Sequence, residues 1–302
     1  MVAQSIASGG RLVAAKPGLT LLIYLVNLIA ALVLSLPIYG ALVGATASSG
    51  YAADLVQRFD LVLWADIMQK SGDVLIASWG QLFWMIPLFL LWKVVVSVGL
   101  INGLRDGGAR SFWDGVGRFT GKATLLALLY LLTLLGWLVV VGIMVVVARL
   151  VFSNIESVFT LYWIVTPAVL FVGLAILDMM HDFGRISLVI SGRSAPSAWL
   201  DGIRYPFRRP SSVLVYLMWL LVAIVLSVAA VRMHASFAAT IGVVWLLFLV
   251  QQIVFFLRAG VTVAWFGSEV SYFERVQYRE APLIADAPAA SEENTGFDPL
   301  TA

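Results

Sequence analysis

Seven ionisable or amide side chains interrupt the long apolar segments of this chain. They are Lys93, Asp178, Asp182, Arg185, Gln251, Gln252 and Arg258. A charge at membrane depth costs roughly 2.5–3.5 kcal/mol at a helix centre, so each such group is by default a hypothesis for a binding site. One interpretation is a buried polar cluster in which Asp178 or Asp182 neutralises Lys93 or Arg258. Such a cluster could bind a substrate or an ion.

The other interpretation is a purely structural role for these groups. Asp178, Asp182 and Arg185 follow one another at about one helical turn, so they would share one face of a helix. Lys93 and Arg258 lie near the ends of apolar segments, where long side chains can reach the lipid headgroups. The carboxylates would then pair locally and fix helix packing. The sequence favours this second interpretation.

A further group of side chains combines cations with aromatic rings next to the apolar segments. Its members are Arg110, Trp113, Arg118, Lys122, Trp199, Arg204, Arg208 and Arg209. This composition is typical of a membrane interface, where a Lys or Arg near anionic lipid gains about 1 kcal/mol. One interpretation is that these residues bind lipid headgroups. The alternative is that they only set topology and depth, as basic loops and aromatic belts do in most membrane proteins.

The sequence contains no motif for catalysis, a metal or a cofactor. It has no Cys, no H-E-x-x-H, no G-x-S-x-G and no phosphate-binding loop. Residues 106–110, DGGAR, are similar to the start of the CDP-alcohol phosphotransferase signature, but the spacing is one residue short and the later Asp residues are absent. His181 and His234 are predicted on opposite sides of the membrane. We therefore predict no catalytic residues, no metal and no cofactor.

Composition indicates an integral membrane protein. The 302 residues are 61% hydrophobic and 12% charged, with a mean hydropathy of +0.97, whereas about a quarter of residues are charged in soluble domains. We predict an all-α, polytopic membrane helical bundle, with six transmembrane helices and interfacial amphipathic helices. The helices are predicted at about 18–42, 75–101, 123–150, 158–182, 211–233 and 237–262, in one domain over 1–280. The tail, 281–302, is predicted to be disordered.

Three stretches that precede apolar segments resemble one another. Each contains a Gly, a basic residue seven positions later, and a Tyr about two turns into the apolar segment. The three sets are Gly9, Lys16 and Tyr24; Gly115, Lys122 and Tyr130; and Gly202, Arg209 and Tyr216. We interpret them as a parallel repeat in which a helix on the membrane surface leads into a transmembrane helix. Chance similarity among membrane-proximal loops is the alternative.

The distribution of Lys and Arg predicts the orientation. Most cations lie before the first helix, between the second and third, between the fourth and fifth, and after the sixth. Both termini are therefore predicted to be cytoplasmic. On the opposite side we predict a surface helix at 53–68 and short turns near Ser153-Asn154 and His234. The first apolar segment is longer than that of a signal peptide, so we expect it to be retained.

Several of these features together resemble a known family. They are the segment 182–186, DFGRI, with Arg193, the stretch SAWLDGIRYPFRRP over 197–210, Gln251-Gln252 and Arg258. With them the chain resembles uncharacterised bacterial six-helix membrane proteins, grouped with the membrane domain of glycerophosphoryl diester phosphodiesterases. The resemblance implies a helical bundle in a bacterial inner membrane. It implies no hydrolase activity, because the chain lacks the soluble phosphodiesterase domain.

We therefore expect a non-catalytic accessory or scaffold subunit of a membrane complex, with a cytoplasmic face that binds lipids or a partner protein. The alternative is a transporter of lipids or small amphiphiles that uses the polar cluster. An integral membrane enzyme is a third possibility. The formal net charge of only +2 gives no reason to expect nucleic acid as a partner.

Overall fold

The computed structural model describes residues 1–46, 61–151, 154–240 and 244–280, and every regular element in these ranges is a helix. Helices α1 to α4 span Val2–Ala15, Pro17–Thr46, Leu61–Asp106 and Ala109–Val151. The short α5, Ile155–Thr160, continues through a π-helical turn, Leu161–Val165, into α6, Thr166–Ile190. Helices α7 to α9 span Ala195–Arg208, Pro210–Thr240 and Val244–Glu280.

Five stretches of the described chain are long and apolar enough to cross a membrane. They are Pro87–Asp106, Ala109–Val151, Glu156–Ile190, Pro210–Met233 and Phe248–Gln277. Helices α1 and α2 meet at a bend of 80° and would add a sixth if the pair is one span. The prediction of an all-α fold with membrane-spanning helices is confirmed at this level.

Most helix boundaries differ from the predicted ones. The second helix begins at Leu61 and the third at Ala109, and the fourth continues to Ile190. The last helix, predicted at 237–262, runs from Val244 to Glu280, and its predecessor continues to Thr240 and does not turn near His234. Apolar residues continue past residue 262, so hydropathy does not mark the end of this helix.

The predicted surface helix at 53–68 is only partly within the described chain. Residues 61–68 belong to the long α3 and do not form a separate helix, and residues 53–60 lie outside the described ranges. The tail predicted to be disordered, 281–302, lies outside them as well. A helix does begin after the predicted turn at Asn154, whose side chain accepts a hydrogen bond from the Ser157 N–H at 2.7 Å.

In two of the three repeats, a basic residue followed by Pro separates the apolar helix from the helix before it, for which we keep the name surface helix as a label. Lys16-Pro17 divides α1 from α2, and Arg209-Pro210 divides α7 from α8. Proline fits the first turn of a helix because its missing N–H would have no partner there. In the second repeat Lys122 is followed by Ala123, and α4 continues unbroken. With 43 residues, α4 is about 65 Å long at 1.5 Å per residue.

Three glycines show how the repeats assemble. The contacts are Gly9 with Ala264 and Ser268, Gly115 with Val98 and Asn102, and Gly202 with Met180 and Gly184. In each case the glycine lies where its helix crosses another one, between two residues of that other helix that are one turn apart. A Cβ on the glycine would come within 2.5 Å of an atom of the other helix. We call the helix pairs α2–α3, α4–α6 and α8–α9 hairpins. Each surface helix rests on the second helix of the preceding hairpin, and α1 rests on the last one, so the three repeats close into a ring.

The second helices of the hairpins, α3, α6 and α9, pack against one another, while α2, α4 and α8 flank them. Core residues come from one end of these helices, for example Val98, Phe119, Phe183, Val215 and Tyr272. We call this the compact end. The apolar stretches leading away from it are widely exposed, as expected of surfaces that face lipid chains.

Candidate functional site

Arg185 is the centre of a buried polar cluster at the compact end. Its guanidinium forms a salt bridge with Asp182, about one turn earlier on α6. It also lies over the ring of Phe266 on α9, at 5.2 Å from the ring centroid. Asp182 is only 3% exposed, so the ion pair is shielded from water. Removing one partner of such a pair leaves an uncompensated buried charge.

Two further carboxyl groups lie near this guanidinium. Asp178 accepts a hydrogen bond from the hydroxyl of Tyr216 at 3.0 Å. Glu269, which is fully buried, accepts one from the indole N–H of Trp265 at 2.8 Å. Both carboxyl groups interact electrostatically with the guanidinium. We define the polar cluster as Asp178, Asp182, Arg185, Tyr216 and Glu269; it joins α6, α8 and α9.

Two atoms of the polar cluster have no hydrogen-bond partner among the described residues. They are Oε2 of Glu269 and Nε of Arg185. A buried polar atom without a partner costs about 1–3 kcal/mol. The cluster also sets three carboxyl groups against one guanidinium, so its charges are not balanced when all are ionised. A proton would reduce this excess of negative charge, and a small hydrogen-bonding molecule would satisfy the two unpartnered atoms. Within the described ranges, no group of three or more His, Asp or Glu has the arrangement of a metal site.

The structure brings Asp178, Asp182 and Arg185 together, but it places two other predicted members elsewhere. Lys93 and Arg258 are exposed, and neither forms an ion pair with a described residue. The ammonium of Lys93 lies 5.6 Å from the centroid of the Phe89 ring. The interpretation in which these two cations neutralise the carboxylates does not fit this arrangement, because Arg185 has that position.

The two glutamines predicted for the cluster lie far from it. Gln252 accepts a hydrogen bond from the hydroxyl of Tyr24 at 2.9 Å and so connects α9 to α2. Gln251 is half-buried beside it. Gln252 is separated from Glu269 by about 25 Å along α9 at 1.5 Å per residue. These amides therefore belong to helix packing and not to the polar cluster.

Glu269 was missed by the sequence analysis, and the reason is the predicted end of the last helix at 262. A helix that ends at 262 leaves Glu269 outside the membrane, on the cytoplasmic side of the predicted topology. The signal was present: Trp265-Phe266, Val270 and Tyr272-Phe273 surround a single acidic residue. A lone carboxylate within an aromatic and apolar run of helix is the pattern of a buried ionisable residue.

The first part of α4, residues 110–122, has a buried face and an exposed face. Phe112, Gly115 and Phe119 are buried against α3 and its neighbours. Trp113 is 53% exposed, and the side chains of Arg110, Arg118 and Lys122 are also exposed.

Helix α7 repeats this arrangement. Ala198, Gly202 and Pro206 are buried, while Arg204 and Arg208 are exposed. We define the basic face as the exposed cations and ring of both helices, namely Arg110, Trp113, Arg118, Lys122, Arg204 and Arg208. The docking glycine thus directs the cations of each helix away from the core.

Two residues predicted for headgroup binding lie apart from the basic face. Trp199 is half-buried, and its indole N–H donates to Oγ1 of Thr133 at 3.3 Å. Arg209 is half-buried at the break between α7 and α8. In the first repeat the corresponding Lys16 donates from Nζ to the carbonyls of Leu104 at 2.6 Å and Gly103 at 3.2 Å. A cation at these terminal carbonyls of α3 stabilises the helix end.

Tyr205 connects α7 to the core through its ring. The ring stacks on Phe183 at a centroid distance of 4.6 Å and contacts Tyr272 and Phe273. Its hydroxyl has no hydrogen-bond partner in the described part of the chain. Burial raises the pKa of the Tyr205 phenol, since the charged form loses its hydration.

No family model, no curated protein and no solved structure matches this chain. The fold and the site of the described chain define a class of protein, namely a helical membrane protein with a buried polar cluster and an exposed basic face. The resemblance to six-helix bacterial membrane proteins stays a prediction.

Proposed function

We propose that this protein is a six-span protein of the bacterial inner membrane and a non-catalytic accessory or scaffold subunit that binds anionic lipid headgroups through its basic face. The observation that carries the proposal is the segregation of α4 and α7 into a buried glycine face and an exposed cationic face. A helix of this kind lies at the interface, with its cations among the headgroups. In this account α1, α7 and the beginning of α4 are the interfacial helices.

The orientation follows from the same surface. The cations of α4 and α7 lie at the compact end, to which the N-terminal α1 and the end of α9 also belong. Cytoplasmic loops carry an excess of Lys and Arg, and the cytoplasmic leaflet is the anionic one. The compact end with both termini is therefore assigned to the cytoplasm.

The contacts of the buried carboxyl groups support a non-catalytic role. The carboxylate of Asp182 pairs with Arg185, that of Asp178 accepts from Tyr216, and that of Glu269 accepts from Trp265. Each of these contacts joins neighbouring turns or neighbouring helices. The polar cluster thus connects helices in the way that interhelical hydrogen bonds do in membrane bundles.

Lipid selectivity tests this proposal directly. The protein is reconstituted into nanodiscs that contain a mixture of phosphatidylcholine and phosphatidylglycerol, and the lipids retained on extraction are quantified. We expect phosphatidylglycerol to be enriched, and we expect Arg118→Gln with Arg208→Gln to lower the enrichment. Arg232→Gln, an exposed cation at the other end of α8, is the matched control. Equal retention of both lipids by the wild-type protein would refute lipid binding by the basic face.

The second candidate is a transporter of lipids or small amphiphiles. Two buried atoms favour it. Oε2 of Glu269 and Nε of Arg185 have no hydrogen-bond partner among the described residues, so a transient ligand could donate to the first and accept from the second. Glu269→Gln keeps the oxygen that accepts from Trp265. A scaffold would keep its fold and its lipids in this variant. A transporter would keep its fold but would lose transfer of a fluorescent phospholipid between the leaflets of a vesicle.

A further inference from the structure

The segment that follows α9 is acidic. Residues 281–302, which we call the acidic tail, contain Asp286, Glu292, Glu293 and Asp298 and no Lys or Arg. They lie outside the described ranges, and they begin where α9 ends, at Glu280. A segment of one charge sign that is tethered beside a surface of the opposite sign meets that surface at a high effective concentration. The tail is therefore a candidate ligand for cations at the compact end.

The basic face has an excess of cations. Within residues 109–122 and 195–208, the exposed charged side chains are five cations and one carboxylate, Asp114. The cations are Arg110, Arg118, Lys122, Arg204 and Arg208. The other carboxylate of these two stretches, Asp201, pairs with Arg193 at 3.2 Å. None of the five cations forms an ion pair within the described part of the chain, so they are available to an anionic partner.

The end of α9 lies close to the beginnings of both helices that carry the basic face. Nε2 of Gln277, in the last turn of α9, donates to Oγ of Ser191 at 3.0 Å, and α7 begins shortly after Ser191. The guanidinium of Arg105, near the end of α3, donates to the carbonyl of Ile190 at 3.4 Å, and α4 begins soon afterwards, at Ala109. The acidic tail therefore starts near the first turns of α4 and α7.

The tail is long enough to cover the basic face. The farthest cations, Lys122 and Arg208, each lie about 20 Å along their helix from its first residue, at 1.5 Å per residue. An extended chain covers at most about 3.6 Å per residue, so Asp286 can reach about 20 Å from Glu280 and Glu292 about 40 Å. The carboxylates of the tail can therefore meet these cations without any rearrangement of the described helices.

We infer that the acidic tail docks on the basic face of its own chain and competes there with anionic lipid headgroups. The carboxylates of the tail then take the place of lipid phosphates beside the cations. Single exposed ion pairs are weak, so the docking depends on several pairs and on the tether, and a membrane rich in anionic lipid displaces the tail. The docking follows from the position and charge of the tail, whereas the competition rests on the proposed function.

A distance measurement tests the docking in the intact protein. The chain has no Cys, so spin labels can be attached at Ser291→Cys in the tail and at Gly117→Cys on α4, an exposed position where a Cβ meets nothing within 4 Å. The protein is placed in phosphatidylcholine nanodiscs, one copy in each, and double electron–electron resonance gives the distances between the labels. We expect a short-distance population. It should be lost in the low-charge tail, which combines Asp286→Asn, Glu292→Gln and Glu293→Gln.

A control variant and a second lipid complete the test. Asn294→Ala with Thr295→Ala alters the tail without changing its charge, so it should keep the short distances. Nanodiscs of phosphatidylglycerol should remove them in the wild-type tail. In mixed nanodiscs, the low-charge tail should raise the retained phosphatidylglycerol about two- to fivefold over the wild-type protein, because it removes a competitor held at roughly millimolar effective concentration. The control variant should retain as much as the wild type.

The outcomes separate the docking from the lipid binding. Absence of the short distances, or their persistence in the low-charge tail, would overturn the docking even if phosphatidylglycerol is enriched. Short distances that depend on the tail charges but persist in phosphatidylglycerol, with equal lipid retention by both tails, would overturn the competition. Equal retention of both lipids by all variants would refute the proposed function and the competition, and the distances would still decide the docking. Short distances seen only in detergent, and lost there in an excess of unlabelled protein, would assign the tail to a second copy and overturn docking within one chain.

Discussion

At the residue scale, the central feature is that one guanidinium serves several buried groups. Arg185 pairs with Asp182, lies on Phe266 and is near two further carboxyl groups. A buried charge that loses its partner is much more costly than an exposed one. The ion pair should therefore matter for stability.

We predict that Arg185→Met lowers the free energy of unfolding by about 3–5 kcal/mol, the usual cost of leaving one charge of a buried pair alone. Adding Asp182→Asn should restore part of the loss, because it removes one of the three carboxyl groups near Arg185. Arg258→Met, on an exposed cation, should change it by less than about 0.5 kcal/mol. Thermal unfolding in mild detergent, followed by tryptophan fluorescence, measures all three. A double variant as unstable as the single one would show that the guanidinium does not stabilise the fold through Asp182.

The hydroxyl of Tyr205 makes a second prediction at this scale. It is buried without a hydrogen-bond partner in the described ranges, so Tyr205→Phe should leave stability unchanged or increase it. Burial raises the pKa of this phenol in the folded protein. Above the ordinary tyrosine value of about 10, the unfolded chain loses the proton first, so stability should fall as the pH rises. The Phe variant should show a smaller fall in unfolding temperature between neutral pH and pH about 10.5. An identical fall in both proteins would contradict this role for Tyr205.

At the element scale, glycines decide where the surface helices dock. Gly9, Gly115 and Gly202 each cross a neighbouring helix at a distance that leaves no room for a methyl group. Because the glycine face is turned inward, the cations on the far side of each helix, Arg110, Arg204 and Arg208, point outward. The position of the basic face is thus a consequence of where the glycines stand in the sequence.

We predict that Gly9→Ala destabilises the protein by about 1–3 kcal/mol, the typical cost of overpacking a close contact. Its Cβ would meet Oγ of Ser268 and the carbonyl oxygen of Ala264 at 2.0 and 2.3 Å. The next residue provides the control: a Cβ on Gly10 meets nothing within 4 Å, so Gly10→Ala should be neutral or gain up to about 1 kcal/mol from helix propensity. The comparison is made by thermal unfolding. Equal effects of the two substitutions would contradict glycine docking at α9.

The sequence predicted these elements better than it predicted the polar cluster. The spacing of Gly, basic residue and Tyr identified the three repeats. Two apolar helices begin at Pro17 and Pro210, close to the predicted starts at about 18 and 211. Hydropathy cannot show where a helix ends when aromatic residues continue past a polar one, and so Glu269 was missed. The spacing of Asp182 and Arg185 did favour local pairing, and these two side chains form a salt bridge.

At the scale of the whole molecule, the three repeats form a ring with a compact end and apolar stretches leading away from it. Every surface helix lies on the compact end, because each one packs on the helix of the preceding hairpin that ends there. In the proposed topology all three are on the cytoplasmic side. The absence of Cys from the chain makes this easy to test with single cysteines.

We predict that Gly10→Cys and Asp114→Cys react with a membrane-impermeant maleimide only in inside-out vesicles. Glu156→Cys and Arg232→Cys should react only in right-side-out preparations, because they lie at the other ends of their helices. All four positions are exposed, so the side of the membrane alone decides the result. Labelling of Gly10→Cys and Asp114→Cys from opposite sides would contradict the parallel repeat.

The most direct test of the proposed function is native mass spectrometry of the protein extracted from its own membrane in mild detergent. The account predicts a chain that retains a stoichiometric protein partner, anionic phospholipid or both, with the lipid lost in Lys122→Gln combined with Arg204→Gln. A single chain without a partner, carrying no lipid or the same lipids in the variant as in the wild type, would contradict it.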